Sequence, residues 1–450
     1  MPSATHPTKR LILCCDGTWM ASDQGKIMET AGLSVPSNAA RISRAIAFYG
    51  TNERQETVPQ IVYYHAGIGT GSIVEVQQLM SGAFGMGLND DVAEIYNFIS
   101  NNWTPGDEIF FFGFSRGAYT VRATAGLIGD VGIASPGQMD QFPDMYQAYQ
   151  QNKTGKPFHE TEEYKNFDLH WQKDVTIKVV GVWDTVGELG IPSNPVVNWL
   201  GLNSRYEFYN TAVAMHCQNA FQALALDEHR KSFTPTLWYL PEGHRGTLRQ
   251  CWFPGVHTNI GGGAADTIEL HPKGDLGEIS DITFAWMYDQ VSPFLTFAPK
   301  AIESIVKQHT ASLLPPPPNK HEMRGWGCGP IIDSDTGIYR ILGSVTRTPG
   351  EYKEAGKTNE YIHPSVRIRR ETRKDYRKPL RPALSNYQCI PRVRDQNGPK
   401  GFVWISETGE KKIEVPEYVI PENVEGIPSL DRILAGGKIM SRLDAENGLE

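Results

Sequence analysis

From Asp107 to Phe114 the chain reads Asp-Glu-Ile-Phe-Phe-Phe-Gly-Phe, apolar from Ile109 onward except for Gly113. An apolar run with no polar alternation is the pattern of a strand covered on both faces, as in the middle of a parallel sheet. Arg10–Cys15, Ile61–Tyr64, Thr176–Trp183 and Leu248–Phe253 read as further strands, the third of them rich in β-branched residues. Between them the period changes. Val92, Ile95, Tyr96 and Ile99 fall three and four apart and predict a helix over Asp90–Asn101, and Ala118–Ile128 carries the same spacing directly after the phenylalanine-rich strand. Helices are also predicted over Glu207–Leu226 and Ile282–Val291. Strands alternating with helices at these intervals imply an α/β fold built on a doubly wound, mainly parallel sheet.

The pattern weakens in two places. Asp130–Asp174 is polar and reads as an inserted, lid-like segment. Pro315–Pro318 is a polyproline stretch, beyond which short strand-like pieces, charges and scattered prolines replace the α/β alternation. The division expected from this is a core over residues 8–295 with its insertion at about 130–175, a proline-containing connector over 296–324 and a C-terminal accessory region over 325–450. That last region is expected to serve as an attachment to the core, a lid or an oligomer contact.

Composition narrows the function classes. A formal net charge of −8 argues against nonspecific nucleic-acid binding as the main role. Against that balance, Arg367–Arg381 concentrates eight Lys or Arg residues, read first as a solvated face and second as a weak contact for an anionic surface. The six cysteines, Cys14, Cys15, Cys217, Cys251, Cys328 and Cys389, form no C-x-x-C pair and lie at no zinc-ligand spacing from a histidine, so no structural metal and no cofactor are expected. Cys14 and Cys15 adjoin on a strand and should face opposite sides of the sheet. The only apolar run near the N-terminus, Leu11–Cys15, is too short for a signal-peptide core or a transmembrane segment, which sets the expectation of a cytoplasmic protein with reduced thiols.

The chemistry is concentrated at the end of the phenylalanine-rich strand. Gly113-Phe114-Ser115-Arg116-Gly117 is G-x-S-x-G between strand and helix, the pattern of a nucleophile elbow, in which glycines two positions either side of the serine let a strained turn close. A serine hydroxyl is a weak nucleophile at neutral pH and needs a base, with a third group to orient that base. In this fold both should follow the serine, acid before histidine, at the carboxyl ends of strands. Asp184, ending Thr176–Trp183, and His257, just past Leu248–Phe253, meet that demand. The rivals are Asp227, in the charged cluster Leu226–Arg230 that reads as a helix end, and His363, which no predicted strand precedes. A developing oxyanion needs amide donors, for which the backbone of Arg116 and that of Gly17 or Thr18, after the first strand, are best placed. Asp16 is expected to fix that turn. Gly67-Ile68-Gly69-Thr70-Gly71 lacks the G-x-G-x-x-G spacing and is read, with Gly82–Gly87, as loop or turn glycines.

Several blocks together carry a resemblance: Cys15-Asp16-Gly17-Thr18-Trp19, Pro105-Gly106-Asp107-Glu108-Ile109, Gly113–Tyr119 around the serine, Val182–Gly187, Ala225-Leu226-Asp227-Glu228 and Trp252–His257. Over residues 8–295 the chain resembles the α/β-hydrolase domain family that includes the phospholipase effectors of bacterial type VI secretion (Tle-type) and its uncharacterised fungal members. Gly343-Ser344 and Ile362-His363-Pro364-Ser365-Val366 resemble the tail of the fungal members. The resemblance implies Ser115 as nucleophile, Asp184 as acid and His257 as base, and an ester bond of a glycerophospholipid as the target. One position departs from the family pattern: Asn259 stands where an Asp usually follows the histidine by two residues. The functional expectation is a serine esterase or phospholipase-like enzyme acting through an acyl-enzyme on a lipid or small-molecule ester. The alternatives are a hydrolase scaffold performing a non-hydrolytic step on a metabolite, and a non-catalytic binding module.

Overall fold

The computed structural model describes residues 8–17, 36–52, 54–66, 84–167, 171–173, 175–186, 211–263, 277–313, 325–331, 343–352, 356–373, 376, 382–392, 401–408 and 411–448. Ten strands concern the site and its surroundings: β1 (Arg10–Cys15), β2 (Tyr49–Thr51), β3 (Thr57–His65), β4 (Glu108–Phe114), β5 (Ile133–Ala134), β6 (Trp171–Gln172), β7 (Thr176–Trp183), β8 (Asn219–Ala225), β9 (Thr247–Phe253) and β10 (Glu360–Ile362). Eight of them form one sheet in the order β10-β9-β8-β7-β4-β1-β3-β2. Every pairing in it is parallel except that of β2 with β3 at the edge. The fold is thus α/β, a doubly wound, mainly parallel sheet as the alternation of patterns implied, and α/β-hydrolase-like as the family resemblance implied.

Strand geometry sends alternate residues to opposite faces. Leu11, Leu13 and Cys15 of β1, with Ile109 and Phe111 of β4, join the core on one side, and Ile12 and Cys14, with Phe110, Phe112 and Phe114, join the core on the other. The first face is covered by the helices Phe84–Asn102 and Arg116–Val131. The second is covered by Asn38–Ala45 and Gly277–Val291. Cys14 and Cys15 therefore part to opposite faces, and all six thiols are free.

Two sequence expectations need correcting. The helix predicted over Glu207–Leu226 is not there in its described part: Asn219–Ala225 is β8, an interior strand, and residues 201–210 lie outside the described residues. Phe221, Leu224 and Leu226 can satisfy a helical period or fill both faces of a buried strand, and pairing with β7 and β9 decides for the strand. Secondly, the helix predicted to begin at Asp90 begins at Phe84, so Gly85 and Gly87 are helical and not loop glycines. Glycine's poor helix propensity hid that first turn. Gly67–Gly71, Gly82 and Pro315–Pro318 lie outside the described residues.

The polar stretch after Asp130 carries an apolar side of its own. The helix Phe142–Gln151 buries Phe142, Met145, Tyr146 and Tyr149, and Phe158 and Tyr164 join them against the helical layer of the first face. The chain beyond residue 325 is threaded into the core as well. β10 adds to the sheet beside β9, Trp326 is buried in the second core, and a three-stranded antiparallel sheet of Tyr387–Pro391, Phe402–Thr408 and Lys411–Pro416 packs Trp404 against Trp252 and Ile362. Arg367 and Arg369, at the head of the basic stretch, are buried: Arg367 pairs with Glu417 at 3.0 Å and Glu446 at 2.8 Å, and Arg369 donates to the carbonyls of Gly327 and Gly329. Those two cations are used internally and do not face an external anion; Lys374, Arg377, Lys378 and Arg381 lie outside the described residues. No helix among the described residues is long and apolar enough to cross a membrane.

Candidate active site

Because the central strands run parallel, their carboxyl ends gather along one edge of the sheet. The chain order reverses between β4 and β1, and a crevice opens at such a switch point outside the strand ends. Ser115 follows β4, Gly17 follows β1, Asp184 follows β7, and His257 lies beyond β9 at the head of the short helix His257–Gly261.

Ser115 has φ 58°, a left-handed value that costs a non-glycine residue energy and is tolerated where the surroundings enforce it. They do so by contact. A Cβ on Gly113 would meet the Gly117 carbonyl at 2.5 Å and the Ala118 Cα at 2.6 Å, and one on Gly117 would strike the backbone of Cys15 and Asp16. Only glycine lets the turn sit this close to β1. The serine N–H donates to the Trp183 carbonyl at 3.1 Å, and the residue is half-buried at the start of the helix Arg116–Val131.

The three side chains selected from the sequence come together. Ser115 Oγ lies 2.8 Å from His257 Nε2, and His257 Nδ1 lies 2.6 Å from Asp184 Oδ2. A carboxylate only accepts, so Nδ1 carries the hydrogen and Nε2 is left to accept the serine proton. Phe114 and Phe233 flank the imidazole, with ring centroids 4.7 Å and 4.9 Å away. Asp184 is fully buried and, like Ser115, has positive φ, 42°. Its Oδ1 accepts the Ala225 N–H at 2.9 Å and Arg347 Nη1 at 2.6 Å, and Oδ2 accepts Arg347 Nη2 at 3.1 Å. Burial pushes this carboxyl up, but the Arg347 guanidinium and the His257 bond outweigh it and hold it well below the usual range.

Gly17 packs directly on the serine: a Cβ there would lie 2.8 Å from Ser115 Cβ and 3.3 Å from its Oγ. Next to it, Asp16 accepts the hydroxyls of Ser37 and Tyr64, the latter at 2.6 Å, and burial pushes its carboxyl up to about 6. Thr18 lies outside the described residues. Arg116, after the serine, opens the helix, where amides without intrahelical acceptors point outward. Burial lowers its guanidinium to about 10.

The rivals sit elsewhere in the network. His363 caps the helix Pro364–Thr372 and is bonded through Nδ1 to Ser365 and through Nε2 to Asp431, both at 2.8 Å. Asp227 follows the strand β8 and does not end a helix. It accepts the Gly255 N–H at 2.7 Å and the Tyr376 hydroxyl at 3.0 Å, so it anchors the turn that leads to His257. Glu228 accepts the backbone N–H of His257 at 3.2 Å and pairs with Arg230 at 2.9 Å; burial opposes its charge, yet the Arg230 contacts bring it down to about 2. Asn259 accepts the Val256 N–H at 3.1 Å and donates Nδ2 to the Pro330 carbonyl at 3.2 Å, a donation that an aspartate in its place could not make. Sequence reading missed Glu228 and, above all, Arg347, which no motif or periodicity marks. Among the described residues no group of three or more His, Cys, Asp or Glu side chains is disposed to hold a metal ion.

Residues 9–290 match the family model for the type VI secretion phospholipase effector Tle1-like catalytic domain. An uncharacterized protein of Saccharomyces cerevisiae is 29% identical over 201 residues, which cover 41% of this chain and 27% of that protein. Among solved structures, an uncharacterized protein from Pseudomonas aeruginosa aligns with 15% identity and TM-score 0.36 over 65% of this chain and 48% of that one. The Tle1 effector bound to the VgrG spike of the type 6 secretion system aligns with 19% identity and TM-score 0.31 over 57% and 51% of the two chains. The chain thus spans about a quarter of the yeast relative (27%) and about half of each solved chain.

Proposed function

The chain belongs to the Tle1-like phospholipase effector catalytic-domain family, and on that premise we propose that it is a serine hydrolase cleaving a carboxylic ester, with Ser115 as nucleophile, His257 as base and Asp184 as the acid that orients it. The observation that carries this reading is the unbroken relay from Ser115 Oγ through His257 to Asp184, at 2.8 Å and 2.6 Å. In the first half-reaction Oγ bonds to the ester carbonyl carbon as its proton passes to His257 Nε2, and the carbonyl electron pair moves onto oxygen. When that pair returns, the C–O bond to the alcohol breaks and the alcohol leaves with the proton from Nε2. Water then repeats the sequence on the acyl-enzyme, releasing the acid and restoring the hydroxyl.

The amides of Arg116 and Gly17 are the proposed donors to the oxyanion, one at the start of the helix and the other held against the serine by the missing side chain of Gly17. Thr18 remains a proposed alternative to Gly17. The substrate class is an ester of a lipid or an amphipathic small molecule, the family favouring a phospholipid.

A fluorophosphonate probe tests the mechanism. It should label the wild-type chain at Ser115 and fail to label Ser115→Ala. Release of fatty acid from phosphatidylcholine vesicles, compared with hydrolysis of short and long p-nitrophenyl esters, then assigns the substrate. Labelling without hydrolysis of any ester would move the reading to non-hydrolytic chemistry, and absence of labelling would sink it.

A further inference from the structure

Asp184 has more partners than orienting a histidine requires. Both terminal nitrogens of Arg347 bind its carboxylate, and the same guanidinium donates to the carbonyls of Ala225 at 2.7 Å and Phe233 at 2.6 Å. The Arg347 side chain is 1% exposed and that of Asp184 is 0% exposed, so water screens neither. Arg347 also lies beyond residue 290, where the family match ends. The tail of the chain therefore delivers a permanent cation onto the acid of the site.

That charge has a consequence for the base. An isolated carboxylate beside a buried imidazole favours the protonated ring, which is useful in the transition state but removes the base as pH falls. A cation on the far side of the same carboxylate offsets this pull. The other charges facing the pair come from the end of β8 and from the tail. Glu228 binds the His257 backbone and is itself paired with Arg230 at 2.9 Å, Asp227 binds the Gly255 amide, and Tyr352 lies close enough to Arg347 and Asp184 to feel both charges. Asp184 with Arg347 and Glu228 with Arg230 make two neutral pairs around the ring.

We infer that Arg347 is a positioning residue for ester hydrolysis: it locks both oxygens of Asp184 so that Oδ2 faces His257, and by offsetting the carboxylate charge it keeps His257 available as a base to lower pH. The inference rests on the serine-hydrolase reading. Guanidinium suits the task, since it stays charged and presents a planar fork that meets both carboxylate oxygens and two carbonyls at once.

The test is the pH dependence, from about pH 5 to 9, of the rate of Ser115 labelling by a fluorophosphonate and of kcat/KM on a p-nitrophenyl ester. It uses the full chain as wild type, Arg347→Lys, Arg347→Met and Arg347→Gln. Removing the charge should move the acid limb upward by about one pH unit, so that below the limb the Met and Gln variants lose up to about tenfold more rate, relative to their own plateau, than the wild type does. Arg347→Lys should keep the limb near its wild-type position while lowering the plateau, because one ammonium cannot make four contacts. If Arg347→Met does not fold, Arg347→Gln, which keeps amide donors, must show the displacement by itself. A plateau lowered equally at every pH with an unmoved limb, or a limb displaced as far by Lys as by Gln, overturns the inference while leaving the hydrolase reading intact. A wild-type chain that is neither labelled nor active fails that reading instead.

Discussion

Of the five non-glycine residues with positive φ among the described residues, two, Ser115 at φ 58° and Asp184 at φ 42°, belong to the same hydrogen-bonded relay. Strain of this kind costs on the order of 1–3 kcal/mol per residue and persists where neighbouring contacts over-determine the geometry. Ser115→Ala should remove labelling and lower kcat by about 10⁴-fold or more while the thermal transition stays near that of the wild type. Asp184→Asn should act differently. It should reduce kcat by about 10³–10⁴-fold and also destabilise the fold by about 3–5 kcal/mol, because it leaves the buried Arg347 guanidinium without its counter-ion. Denaturant titration checks the second effect. Gly17→Ala should remove most turnover, since the added methyl would come within 2.8 Å of Ser115 Cβ. His363→Ala should leave the turnover of the folded fraction near wild type and lower the thermal midpoint, because that ring bonds Ser365 and Asp431 in the interior; loss of turnover with an unchanged midpoint would make His363 the base.

Among the elements, those with an unambiguous period matched their sequence patterns. β1, β4, β7 and β9 lie where the apolar runs placed them, and the helix after the elbow spans Arg116–Val131. β8 could not be read, because Asn219–Ala225 has an apolar content compatible with either period and only its two neighbours in the sheet select the strand. β10 was invisible for another reason. Three residues, Glu360–Ile362, carry no periodic signal, yet their pairing makes β9 an interior strand. Removing the chain after residue 313 would expose that edge and uncover Trp252, which packs on Ile362 and Trp404. A chain so truncated should fail to give a cooperative unfolding transition and should not be labelled by fluorophosphonate; a folded, labelled truncation would show that the tail is dispensable.

At the scale of the whole molecule the tail is docked on a buried carboxyl. Asp289, on the helix Gly277–Val291, accepts the Ser429 hydroxyl at 2.5 Å and the Leu430 N–H at 2.7 Å, and burial together with the charge of Asp431 pushes its carboxyl up to about 8. A carboxyl that holds its proton more tightly folded than unfolded stabilises the fold fully below its unfolded pKa of about 4, and that contribution is lost as pH rises toward the folded value. Hydrogen exchange at residues 429–447 should therefore quicken between about pH 4 and 8 beyond the intrinsic base-catalysed rise. Asp289→Asn should flatten that extra dependence. An unchanged slope in the Asn variant would assign the effect elsewhere.

Sequence by itself determined the α/β class and the strand-to-helix turn at Ser115 with its glycines, and it singled out Asp184 and His257, the side chains that the fold joins to that serine by hydrogen bonds, because each depends on local rules: a both-faces apolar strand, small residues at a strained turn, and polar side chains at strand ends. It also separated Asp184 and His257 from Asp227 and His363 through chain order and strand placement. Tertiary structure alone decided the strand β8, the edge strand β10, the anchoring of the His257 loop by Asp227 and Glu228, and the arrival of Arg347 at Asp184. Those features join residues far apart in the chain, and no periodicity within one segment records which distant segment will cover it. A buried cation such as Arg347 is identical, in sequence, to one on the surface until the carboxylate and carbonyls that receive it have been folded around it.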